Sequence, residues 1–240
     1  MTDLDLARAL AQQAGKVALA IRATGLIEGK ALGKAGDRAV NAFLVPAIAQ
    51  HRPDDALLSE ESEDDHARLD KKRVWIVDPV DGTREYGEER ADWAVHVGLA
   101  IDGVAHTGAV ALPGLDLVLT SDGDACADHA PTGKIVVSRS RPPAEGERVA
   151  AALGMELVGM GSAGAKAMAV VRGEADAYLH SGGQYEWDNC APVAVAQAYG
   201  LHCSRIDGAP LRYNRPDVSL PDLLICRPEL ADTILNALSG

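Results

Sequence analysis

Aromatic residues are scarce in this sequence. They make up 4% of it, and phenylalanine occurs once. A core must therefore be built from Ala, Val and Leu, within an apolar content of 47%. Cysteine is rarer still, with four residues. Cys126, Cys190, Cys203 and Cys226 form no CxxC pair and no metal-ligand spacing, which predicts free buried thiols in a reducing compartment. The seven histidines form no HxH or HExxH pattern, which argues against zinc. Positive charge is in deficit: 23 Lys and Arg against 35 Asp and Glu give a net charge of -12. That excess disfavours polymeric nucleic acid as a partner. It leaves room for a small anion, since local cations can reverse the sign of a site. No apolar run is long enough to span a membrane. Asp3 and Asp5 stand where a signal peptide would carry basic residues before an apolar stretch. A cytoplasmic location is the expectation. The 240 residues suit one large domain or two closely packed lobes.

The pattern along the chain is mixed. Residues 4–22 carry apolar residues at helical spacing. The segment GKALGKAG reads as a loop, followed by a helix from Asp37 to Gln50 with Asp37 as N-cap. A short strand at 56–58 ends at SEES, and Ser62 with Asp65 resembles a capping box opening a charged helix. A strand then runs to Asp78. Residues 95–101 alternate as a half-buried strand, Asp102-Gly103 signals a hairpin, and two further strands follow. The polar stretch 121–133 predicts a boundary between an N-terminal lobe (1–133) and a C-terminal lobe (134–240). The second half reads as strands at 134–138, 157–159, 175–179, 201–205 and 222–226, with helices at 145–153, 163–172, 188–199 and 229–238. The fold class is α+β or a layered sandwich.

Acids cluster at element ends: Asp37, Glu60, Glu61, Asp78, Asp81 and Asp188. In the stretch DPVD, Pro79 fixes the backbone between two carboxylates, which repel unless a cation or dense donors lie between them. Oxygen ligands without His or Cys point to Mg²⁺ or Mn²⁺. The Val80 carbonyl lies between the two acids, and Gly82 and Thr83 can offer N–H groups to a phosphate. Taken singly, each acid has a plain alternative. Asp188 fits an N-cap, Glu60-Glu61 a solvated helix start, and Asp78 and Asp81 an Asx-turn. Lys166, His180 and Arg139 are candidate cations for a substrate, or else a surface lysine, a rim histidine and a loop charge. GSAGAK lacks the spacing of a P-loop. Trp75 and Trp187 read as core.

Taken together, SEES, DPVDGT and EWDNCAP resemble the inositol monophosphatase superfamily of metal-dependent phosphatases. DGTREY, VSRS (137–140), GSAGAKAM (161–168), WDNCAP and GAPLRYN (208–214) are similar to its 3′(2′),5′-bisphosphate nucleotidase branch, the CysQ-type enzymes. The resemblance implies an αβαβα sandwich of two lobes, two or three Mg²⁺ ions and lithium inhibition. It implies Glu60, Asp78, the Val80 carbonyl, Asp81 and Asp188 as metal ligands. Asp37, Glu60 and Thr83 would serve the nucleophilic water. Gly82, Thr83, Arg139, Ser162, Lys166 and His180 would meet the substrate. One departure is plain: the family's Lys-x-Asp-x-Ser-x-x-Thr run is replaced here by LIEGKALGKAGD, which keeps only Asp37. The implied reaction is removal of the 3′-phosphate from adenosine 3′,5′-bisphosphate in sulfate assimilation, with its sulfated precursor as a further implied substrate. Inositol phosphate, fructose bisphosphate and histidinol phosphate are alternative substrates. A non-catalytic metal- or nucleotide-binding regulator is the alternative of another class. A monomer or homodimer is expected.

Overall fold

The computed structural model describes residues 1–123 and 129–239. In chain order, α1 (Asp3–Arg22) and α2 (Gly29–His51) precede β1 (Ala56–Ser59), β2 (Arg73–Asp81) and the short α3 (Thr83–Gly87). The strands β3 (Ala94–Ile101), β4 (Val104–Leu112) and β5 (Leu117–Thr120) complete a five-stranded sheet in the order β1-β2-β3-β4-β5. Then come β6 (Lys134–Ser138), α4 (Gly146–Leu153), β7 (Glu156–Met160), α5 (Ala163–Val171), β8 (Ala177–Tyr185) and α6 (Glu186–Ala198). The strands β9 (His202–Ser204) and β10 (Ser219–Cys226) and the helix α7 (Ala231–Ser239) close the fold. The second sheet has the order β7-β6-β8-β10-β9, with β6 parallel to β7 and β8 and β10 antiparallel to both neighbours.

Side-chain alternation stacks these elements in five layers. On β2, Trp75 and Val77 pack with Leu10, Ala14, Val40 and Leu44 of α1 and α2. Their neighbours Val74 and Ile76 face the other way, into a core shared by α5, α6 and the second sheet. A strand buried on both faces reads as a continuous apolar run, as VWIV does. The far face of the second sheet, with Ile135, Leu179 and Leu224, packs on Val149 of α4 and Ile234 of α7. The result is helix, sheet, helix, sheet, helix: the expected αβαβα sandwich. The central layer fits tightly. A Cβ on Gly108 of β4 would lie 2.5 Å from the Ala191 carbonyl oxygen of α6.

Several local expectations are corrected. The GKALGKAG segment is helical, and Asp37 sits inside α2 rather than at its N-cap. Its glycines are there for contact: a Cβ on Gly33 would come within 2.6 Å of Thr83, and one on Gly36 within 2.7 Å of the Tyr86 ring. Ser62 caps no helix. A 3-10 turn begins later, at Ala67, beside Asp64 and Asp65, which accept from the His66 and Ala67 N–H groups. The strand expected at 175–179 continues to Tyr185: Ser181 pairs with Asp222 and Gln184 with Leu220 of β10, and Gly182 and Gly183, both at φ 96°, fill the bulge between those pairs. Helix α6 opens at Glu186, so Asp188 is its third residue rather than its cap. Asp102 and Gly103, both with positive φ, make the predicted hairpin. Cys190, Cys203 and Cys226 are free thiols, while Cys126 and part of the expected 121–133 boundary lie outside the described residues. No helix among the described residues is long and apolar enough to cross a membrane.

Candidate active site

Strand β2 carries both acids of DPVD. Its ladder to β3 jumps from Asp78 opposite His96 to Asp81 opposite Ala94, so one extra residue bulges out between them. Pro79 sits in that bulge, where its missing N–H deprives no regular ladder position. Gly82, at φ 87°, then turns the chain into α3. Asp188 arrives from the first turn of α6. Oxygens of Asp78, Asp81 and Asp188 all lie within 4.8 Å of one another. Glu60 follows β1, its N–H bonded to the Val77 carbonyl at 3.4 Å, and lines the same cavity.

These acids are not equivalent. Burial, then the charges of Glu60 and Asp81, push Asp78 well above the carboxylate range. Burial with Glu60 and Glu61 raises Asp37 to about 8, and burial with Asp188 and Asp81 raises Glu60 to about 7. Asp188 is raised to about 6 by burial and Asp81. Asp37 and Asp78 each keep a buried Oδ1 with no hydrogen-bond donor. Asp81 is the opposite case. Its Oδ1 accepts the Ala163 N–H at 3.1 Å; its Oδ2 accepts the Gly164 N–H at 2.6 Å and the Ser162 hydroxyl at 2.5 Å. Burial works to raise this carboxyl, but the neighbouring His96, with Lys166 and Ser162, holds it below its ordinary value.

Sequence reasoning missed His96, which reads as one more residue of an alternating strand. It is fully buried, with Nε2 3.1 Å from Asp81 Oδ2 and Nδ1 2.9 Å from the Trp187 carbonyl oxygen. Nε2 is near enough for an ion pair yet off the line of a straight hydrogen bond. Its available signal was a histidine in a strand otherwise built for complete burial. Thr83 donates its hydroxyl to the Val80 carbonyl at 3.2 Å, so that carbonyl keeps one further lone pair.

A cavity of about 430 Å³ opens beside the acids. Glu60, Asp81, Gly82 and Asp188 line it, with Ser162, Lys166, His180 and Arg141 among its other lining residues. Asp37, Asp78, Val80 and Thr83 are not among the lining residues. The candidate cations differ from expectation. Lys166 is buried; its ammonium donates to the carbonyls of Gly161, at 3.1 Å, and Ser162, and sits over the Tyr178 ring. Desolvation lowers it to about 8. His180 is neither at a strand end nor on a rim. It is buried within β8 and donates Nε2–H to the Gly183 carbonyl at 3.0 Å. Burial lowers its pKa, with Lys166 and Arg141 acting the same way, so a phosphate would meet a neutral ring. Arg139 turns from the cavity to pair with Glu85 and Asp92. Arg141, unmarked by any motif, lines the cavity instead. Trp75 is core, whereas Trp187 is partly buried and stacks on Tyr185, with both rings at the cavity wall.

The sequence model of the inositol monophosphatase family matches residues 3–239. The 3′-phosphoadenosine 5′-phosphate phosphatase of Mycobacterium bovis is 48% identical over 238 residues, covering 94% of this chain and 89% of its own. The 3′(2′),5′-bisphosphate nucleotidase CysQ of Escherichia coli K12 is 29% identical over 192 residues, or 75% and 78% of the two chains. Among solved structures, CysQ from Bacteroides thetaiotaomicron superposes with a TM-score of 0.79 at 24% identity, over 94% of this chain and 97% of that one.

Proposed function

Because the chain belongs to the inositol monophosphatase family, we propose that it is a Mg²⁺-dependent phosphomonoesterase that removes the 3′-phosphate of adenosine 3′,5′-bisphosphate. The observation that carries the chemistry is the packing of three carboxylates within 4.8 Å, with a buried Asp78 oxygen that no protein donor meets. Such a set repels itself and fits a hard divalent cation. The name of the 48% identical relative supports the substrate.

Glu60, Asp78, the Val80 carbonyl, Asp81 and Asp188 would hold two or three Mg²⁺ ions, with Mn²⁺ as a substitute. Bound ions of this kind neutralise phosphate charge and make water nucleophilic at neutral pH. The chain's own groups do the rest. Thr83 and Glu60 orient the attacking water, and Asp37 lies behind them as a further acid. The N–H groups of Gly82 and Thr83 face the phosphate at the start of α3. Arg141 rather than Arg139 supplies the cation for the second phosphate, because Arg139 is already held by two acids. Lys166 holds the 161–162 backbone, and Ser162 holds Asp81, so both serve the substrate by shaping its wall. In this reading residues 1–133 bring most metal ligands, residues 134–240 bring Asp188 and the substrate wall, and the protein works in the cytoplasm on the by-product of sulfate assimilation. Inhibition by lithium is part of it.

The test is phosphate release from adenosine 3′,5′-bisphosphate, inositol 1-phosphate, fructose 1,6-bisphosphate and histidinol phosphate, with Mg²⁺ and with chelator. Metal-dependent preference for the nucleotide is the expected result. Preference for inositol 1-phosphate would overturn the substrate, and no release from any of them would favour a binding role.

A further inference from the structure

His96 reaches two elements that must be held together for the site to exist. It projects from β3 and is fully buried. Its Nε2 faces Asp81 of β2 at 3.1 Å, and its Nδ1–H reaches the Trp187 carbonyl of α6 at 2.9 Å. A carbonyl only accepts, so Nδ1 is the donor there. Trp187 is the residue immediately before Asp188. One ring therefore connects one acid directly to the turn that carries another, across the interface between the first sheet and the central helices. The ring has little freedom: a Cβ on Gly164 would lie 2.1 Å from Nε2, so the first turn of α5 closes over it.

We propose that His96 is a positioning residue for the divalent cation, fixing the separation of Asp81 and Asp188 by bridging Asp81 to the Trp187 carbonyl. This rests on the metal-dependent reading above. Groups that orient metal ligands commonly matter by about 10–100-fold in metal affinity, and no other described side chain joins these two segments by hydrogen bond or ion pair. A plain packing role makes a different demand, since it needs only the ring's volume.

The experiment compares wild type, His96→Phe and His96→Asn by calorimetric titration of the chelator-stripped protein with Mn²⁺, alongside kcat/KM at saturating and limiting metal. His96→Phe keeps the ring and loses both nitrogens. It should weaken Mn²⁺ binding by about 10–100-fold. His96→Asn places an amide where Nδ1 stands and should recover part of that loss through the Trp187 carbonyl. If His96→Phe folds and binds Mn²⁺ as wild type does, the proposal is overturned. If His96→Phe fails to fold, His96→Asn decides alone: unchanged affinity removes the proposal, and intermediate affinity supports it. A wild type that binds Mn²⁺ but hydrolyses none of the phosphates would defeat the function proposed above while leaving the role of His96 standing.

Discussion

The two walls of the cavity are short of opposite things. At the end of the first sheet, carboxylates outnumber donors: Asp37 and Asp78 keep bare buried oxygens, and four of the five clustered acids are raised by burial and by one another. Around the rest of the cavity, on α5, β8 and the segment after β6 (the β8 wall for short), the cations are already engaged. Lys166 is held by backbone carbonyls, His180 donates to Gly183, and nearby Arg139 is paired with two acids. The acid wall keeps unmet acceptors, and the β8 wall has few cations to spare. Net charge alone could not reveal this, because it depends on which partners each group has inside the fold.

The contrast is sharpest within the acid wall, where Asp78 and Asp81 differ most. Asp78→Asn should cut kcat/KM by more than about 100-fold, beyond what groups supporting a metal ligand cost. It should also raise the melting temperature of the chelated protein, because one of several repelling charges is removed. Asp81→Asn should be as inactive but less stable, by about 1–3 kcal/mol, since an amide meets donors with a donor. Calorimetry of both variants in chelator checks this, and shifts of the same sign would break the distinction.

A second effect follows from the raised carboxyls. The folded protein holds protons on Asp37, Glu60 and Asp188 up to about 8, 7 and 6, whereas the unfolded chain releases them near 4. Through these three groups the folded state binds more protons across that window, so their contribution to metal-free stability falls as pH rises through it. Thermal melts from pH 5 to 8 should show the decline in chelator and lose it with Mg²⁺. A metal-free melting temperature that rises with pH would contradict the acid-wall account.

The β8 wall gives the smaller effects. Arg141→Gln should raise KM for adenosine 3′,5′-bisphosphate by about tenfold, the low end for a charge-assisted contact, and leave adenosine 3′-monophosphate nearly unchanged. Arg139→Gln should change either substrate by less than about threefold, since exposed ion pairs contribute about 0–1 kcal/mol. Steady-state kinetics on both nucleotides would settle the order, and a larger effect at Arg139 would reverse the roles.

What was legible in the sequence followed from local physics. Alternation marked β3, Asp102-Gly103 marked its hairpin, and the three-residue spacing in DPVD marked two acids on one strand end. The illegible parts are those where a distant contact overrides a local signal. Gly33 and Gly36 look like a loop until Thr83 and Tyr86 are seen pressed against them. The strand expected to end at 179 runs on because pairing to β10 resumes beyond the Gly182-Gly183 bulge, at Gln184 and Tyr185. Arg139 and Arg141 are two residues apart in one polar segment, and only their partners tell them apart. His96 shows only its type, a histidine in an otherwise buried strand, and its role depends on Asp81 and Trp187, which other elements deliver.

The missing side chain at Gly108 sets a mechanical tolerance for the whole site. Ala191, which it touches, stands three residues beyond Asp188 on the same helix, about 4.5 Å along the axis. A helix shifts as a rod, so displacement at one end is passed to the other with little loss. A methyl group at residue 108 would start 2.5 Å from the Ala191 oxygen. Relieving that overlap would push the rod by roughly 1 Å and carry Asp188 with it, a misplacement that can cost about 100-fold in rate. Strand β4 contributes no side chain to the cavity, yet it acts as the stop against which the acid of α6 is gauged.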